Sequence, residues 1–186
     1  MGTNRAYQPR PLPSSTYVPG GRRPRPRHDP GLAAVPPIVG DSWRTSDAYL
    51  RGFDLFDAGF YWEAHESWEA LWHAHGRKGP IADVLKGLIK LAAAGVKVRQ
   101  GRPGGVRSLA ARAAGHFETA RGEAGPELLG LDLAAWIDFA KDVAERPSGA
   151  SAAPEGPAVV VFVRRPARPG GGSPACDATT RPAAGT

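Results

Sequence analysis

Tyr61-Trp62-Glu63-Ala64-His65-Glu66-Ser67-Trp68-Glu69-Ala70-Leu71-Trp72-His73 places three Glu, two His and three Trp in thirteen residues. Gly59 stands before this stretch and Gly76 and Gly79 after it. Between these breaks it reads as one helix over about 61–75. At about 100° per residue, Trp62, Glu69, His65, Trp72, His73 and Glu66 fall within one arc of about 120°. Glu63 flanks that arc, and His65 and Glu69, four apart, are neighbours. A surface helix normally separates charge from aromatics. Here they share a side, so either the carboxylates are buried and paired or the aromatic side is a pocket wall with polar groups in it. Both arrangements are costly without partners.

The neighbouring segments also read as helices. Ser46 can cap a helix over about 47–58 that Gly59 ends. Pro80 opens a third, about 80–100, whose Ile81, Val84, Leu85, Leu88, Leu91, Ala92, Gly95, Val96 and Val98 fill one half of the cylinder. Lys86, Lys90 and Lys97 line the opposite half, and the expectation is a solvated face. After Gly101, Pro103, Gly104 and Gly105 a fourth helix is predicted over about 105–121, with Val106, Leu109, Ala113 and Phe117 inward. A fifth, about 133–146, is capped by Asp132 and stopped by Pro147. The prediction is an all-α bundle of four to five helices over 46–146.

The flanks differ in kind. Gly and Pro number 24 and 19 in 186 residues, about twice ordinary usage. They concentrate in 1–45 and 147–186, which read as disordered or loosely docked arms. Pro spacing there excludes a regular helix, and the Arg22, Arg23, Arg25 and Arg27 run reads chiefly as a solvated extended segment. Ala158-Val159-Val160-Val161-Phe162-Val163 is β-prone and uncharged; it is expected to dock on the bundle or form a short strand, because left open it invites aggregation.

Charge follows the same division. The net charge of +6 separates into +5 for 1–45, −1 for 46–146 and +2 for 147–186. A nucleic-acid reader carries its basic face on the folded part, so a nucleic-acid partner is disfavoured. No apolar run is long enough to cross a membrane. The first 30 residues lack an apolar leader core, and the single Cys176 closes no intrachain disulfide. A cytoplasmic location is expected.

Four chemistries fit the second helix. In a structural network, Glu63 and Glu66 favour the helix dipole and Glu69 with His65 joins helices. In a divalent metal site, His65 and Glu69 supply two ligands and His116, inward on the fourth helix, a third. In an acid/base site, Glu66 or Glu69 beside indole rings acts as general acid or base with His65 as partner. In a ligand pocket, Trp62, Trp72, Glu63 and His73 hold a flat or carbohydrate-like small molecule. A zinc-protease reading fails because Glu69 stands where the second His is required, and the other helices lack the Glu-x-x-His set of a di-iron bundle.

Phe56-Asp57-Ala58-Gly59-Phe60-Tyr61-Trp62-Glu63-Ala64-His65-Glu66-Ser67-Trp68-Glu69-Ala70-Leu71-Trp72 resembles the signature of the "domain of unknown function 309" family of small helical bacterial proteins. Gly87-Leu88-Ile89-Lys90-Leu91-Ala92-Ala93-Ala94 is similar to that family's second signature, and the Gly101–Val106 turn to its Gly-Asn turn. The resemblance covers about 46–122. It implies a small all-α fold, carries over Glu63, His65, Glu66, Glu69 and Trp72, and implies no activity. Arg102 departs from the family's Asn, and no His stands near Lys97. Tyr17-Val18-Pro19-Gly20 and Pro24-Arg25-Pro26 resemble an N-terminal motif of one bacterial branch, where a His often stands in place of Arg25. Residues 16–30 are therefore expected to lie on the helices in part.

Overall fold

The computed structural model describes residues 6–21, 24–25, 35–147 and 156–169. A 3-10 helix, Gly40–Thr45, leads into five α-helices: α1 (Asp47–Asp57), α2 (Tyr61–Ala74), α3 (Pro80–Arg99), α4 (Pro103–Ala124) and α5 (Leu133–Glu145). Each α-helix packs on the next in sequence, as short connections require of antiparallel neighbours. Phe53 of α1 meets Trp136 of α5 edge-on at 6.0 Å in the core.

Local chemistry explains the boundaries. The Ser46 side chain accepts from the Tyr49 N–H, and Asp132 Oδ1 accepts from the Ala134 and Ala135 N–H groups. Pro80 and Pro103 occupy first-turn positions that need no N–H. At the end of α1, Gly59 has φ +83°. Its N–H donates to Phe56 O, and Phe60 N–H donates to Leu55 O, the paired bonds of a Schellman turn. A side chain at Gly59 would also run into the Val159 backbone. The fourth helix starts two residues earlier than expected, at Pro103, and runs three residues further, to Ala124.

Between α4 and α5 the chain makes a two-residue hairpin, β1 (Glu127–Leu128) with β2 (Leu131–Asp132). Leu129 (φ +54°) and Gly130 (φ +72°) turn it with positive φ at both central positions, which suits strand twist. Leu129 is a costly residue there; it is buried, and its carbonyl accepts from the Tyr49 hydroxyl at 3.0 Å.

The core draws on the flanks. Val18, Ile38, Trp43 and Phe162 are buried with the α-helical residues. Phe162 stacks on Phe56 at 5.7 Å and meets Phe139 edge-on. The Val161 N–H donates to the Tyr61 hydroxyl at 2.8 Å, which burial raises to a pKa of about 12. Arg165 and Arg168 reach Asp57 and Asp54 at 2.6 and 2.8 Å. Residues 158–163 therefore dock on the bundle and pair with no strand among the described residues. From the other end of the chain, Tyr7 donates to the same Asp54, and Arg51 donates to the Arg10 and Pro11 carbonyls. Arg22, Arg23, Arg27 and Cys176 lie outside the described residues.

Candidate functional site

One face of α2 enters the core, with Tyr61, Ala64, Ser67, Trp68 and Leu71 buried. Trp68 donates its indole N–H to Tyr49 O at 3.1 Å, and Ser67 donates to Ala48 O at 2.8 Å, so α2 is fixed to α1. That fixes the rotation of the helix. It leaves Trp62, His65, Glu66, Glu69 and Trp72 half-buried on the adjoining side and His73 exposed.

The acids on that side have different partners. Glu63 accepts from the Thr16 hydroxyl at 2.8 Å and from the Tyr17 N–H at 2.9 Å. Burial pushes its carboxyl pKa up, and these two donors oppose the shift. Glu66 pairs with Arg25 at 3.1 Å, and Arg25 also lies 5.2 Å from the Trp62 ring centroid. His65 stacks on Trp62 at 5.9 Å. Its Nδ1 is buried without a hydrogen-bond partner among the described residues, and Glu69 Oε2 lies 3.9 Å away. Burial holds the imidazole below its ordinary pKa; Glu69 and Glu66 oppose that, while Lys90 and Lys86 add to it. The neutral ring is therefore favoured. His65, Glu66 and Glu69 each offer a ligand atom within 4.8 Å of the others.

The wall facing them is α3. Lys86 Nζ sits 3.5 Å from the Trp72 ring centroid, and Arg77 lies over the same ring at 5.2 Å. The side of α3 expected to be a solvated face instead has Lys86, Lys90 and Lys97 partly buried. Lys86 is depressed in pKa by burial and by Lys90, and Lys97 donates to Gln100 at 2.8 Å. The amphipathic pattern identified the side opposite the core correctly. It carried no information that α2 and the N-terminal arm rise beside it.

The structure thus brings together His65, Glu66, Glu69, Trp62 and Trp72. It does not bring in His116, whose Nδ1 lies 2.9 Å from Asp83 Oδ1, nor His73, whose Nδ1 accepts from Arg77 on the exposed end. The rings of Trp62 and Trp72 face cations of the chain itself. Tyr17, Arg25, Lys86 and Lys90 lie beside this cluster; in the sequence they read as arm motif or solvated face and not as site residues. The Tyr17 and Arg25 motifs were the available signal. His75 was also missed: its Nε2 accepts from the Ile38 N–H at 2.9 Å, and burial lowers its pKa.

Residues 49–109 match the family described as "Domain of unknown function (DUF309)", the one that the Glu-Ala-His-Glu motif resembles. That segment carries α1 to the first turns of α4 and so includes all the α2 and α3 residues of the site. A search of proteins with curated function finds no match to the chain. No helix among the described residues is long and apolar enough to cross a membrane.

Proposed function

Starting from a DUF309 domain whose description names no activity, we propose that the open side of α2 is a divalent-metal site formed by His65, Glu66 and Glu69, in a small helical protein that uses the ion to hold a small ligand. The observation that supports this most is the imidazole. Its Nδ1 is buried without a hydrogen bond among the described residues, and the ring offers a ligand nitrogen within 4.8 Å of two carboxylates. A neutral ring in such a place offers a lone pair. One imidazole with two carboxylates suits divalent transition metals, and three protein ligands leave coordination positions open. Ligands on bonds of about 2.0–2.2 Å lie about 3–3.5 Å apart. The group must therefore contract, and Glu69, at 38% side-chain exposure, has the room to move.

Within this reading the helical unit spans 46–146 with flanks 1–45 and 147–186. The near-neutral charge of that unit supports a role away from nucleic acid.

The test is calorimetric titration of the full chain with Mn2+ or Zn2+ near neutral pH. One ion per chain is expected. Glu69→Gln should abolish it and shift the melting temperature by less than about 2 °C. No binding at millimolar metal would overturn the proposal.

A second reading rests on the bonds from Glu63 to Thr16 and Tyr17 and from Glu66 to Arg25. In it, the acids of α2 only fasten the N-terminal arm, and the protein is an interaction module. It expects Glu69→Gln to change nothing and Glu66→Gln to loosen the arm.

A further inference from the structure

The helix facing the cluster contributes two ammonium groups. Two contacts set the antiparallel register of α2 and α3: Lys86 lies on Trp72, and the Gly95 backbone presses against the Tyr61 ring. Interpolated between these two contacts along antiparallel helices, Lys90 falls at about the level of Ser67. Lys86, one turn along, lies on the Trp72 ring and feels the Glu69 charge. Neither lysine forms an ion pair among the described residues. Both act on the His65 imidazole electrostatically, as do Glu69 and Glu66. Arg25, on Glu66, and Arg77, on Trp72 and His73, add two further cations beside the same residues of α2.

A divalent ion at His65, Glu66 and Glu69 meets two carboxylates, one of which, Glu66, already pairs with Arg25. Two half-buried ammonium groups beside it then remain unneutralised and repel the ion. That arrangement is favourable when the ion shares an open coordination position with an anion. With Arg25 beside Glu66 as well, the surplus is at least two positive charges, which favours a dianion over a carboxylate. Divalent ions held by a few side chains commonly complete their shell with phosphate oxygens, and lysine binds phosphate as a compact point charge.

We infer that Lys86 and Lys90 bind the anionic end of this site's ligand, and that the ligand carries a phosphate dianion, free or as a phosphomonoester, bridging the α2 ion and the α3 lysines. The inference rests on the metal reading above and goes beyond it to the substrate class.

The experiment titrates inorganic phosphate and, separately, phenyl phosphate into the full chain with and without saturating Mn2+. It then repeats both with Lys86→Gln/Lys90→Gln, after a melting curve confirms folding. If the double variant does not fold, Lys90→Gln alone is used; it leaves the Lys86–Trp72 contact in place. With Mn2+ the wild type is expected to bind at least one of the two phosphates at least tenfold tighter than without. The lysine variant should lose that tenfold while holding Mn2+ alone as tightly as wild type, or more tightly. The tighter of the two phosphates identifies the source. If the lysine variant binds phosphate as wild type does, or if acetate binds as tightly as phosphate, the inference fails and the metal site stands. If Mn2+ itself does not bind, the metal reading fails and takes the inference with it.

Discussion

The two sides of α2 use the same residue types for opposite ends. On the inner side, Trp68 is fully buried, its N–H is bonded to Tyr49 O, and Phe53 meets it edge-on at 5.1 Å. On the outer side, Trp62 and Trp72 are half-buried, and each ring faces a cation of the chain. The acids divide the same way. Glu63 is held by two donors of the N-terminal arm, while Glu69 has only the His65 ring within ion-pair reach among the described residues. An indole or a carboxylate in this helix therefore has no fixed role. Its position relative to the core face, and the segment that covers it, decide whether it builds the fold or remains available.

Substitutions can break that contrast, and the largest effect is expected inside. Trp68→Ala should cost about 3–5 kcal/mol in denaturant unfolding, the usual penalty for emptying a buried aromatic site. Trp72→Ala should cost no more than about 1–2 kcal/mol, since it loses a part-exposed ring and cation–π contacts. Equal costs would erase the distinction between the two sides. Glu63→Gln comes next, at about 1–3 kcal/mol, because Gln offers one acceptor oxygen where Thr16 and Tyr17 donate to two. Its signature should be faster amide exchange around residues 16–18, with the centre of α3 unaffected.

His75 sharpens the comparison through pH. Its folded pKa is depressed, so its neutral form stabilises the fold. That contribution is complete above the unfolded value near 6.5 and falls away as pH drops through the lowered folded value. Melting curves should show part of the acid-side loss vanish in His75→Gln, with the 3-10 segment Gly40–Thr45 loosening first in the wild type at low pH.

Much of the frame was legible in the sequence, for reasons that are local. Ser46, Gly59, Pro80 and Asp132 act within a turn of where they stand, so they marked the ends of α1, α3 and α5. The arc on α2 was legible because helical geometry is fixed. What faces it was not. Thr16, Tyr17 and Arg25 approach from more than forty residues away, and no periodicity encodes such a pairing. The hairpin at Leu129 escaped because its first turn residue is not one that favours positive φ. The 3-10 helix escaped because Pro36 and Pro37 point to extended chain, while the burial of Trp43 against Gly130 is a tertiary contact. The docking of Phe162 was legible in outline, since six uncharged β-prone residues need cover. Its site between Phe56 and Phe139 was not.

The outer side of α2 is tested most directly by pulsed EPR on the full chain loaded with one equivalent of Mn2+. The account predicts a single coordinated imidazole nitrogen that disappears in His65→Ala and persists in His73→Ala, His75→Gln and His116→Ala. A nitrogen coupling that survives His65→Ala, or a Mn2+ spectrum with no coordinated nitrogen at all, would contradict it.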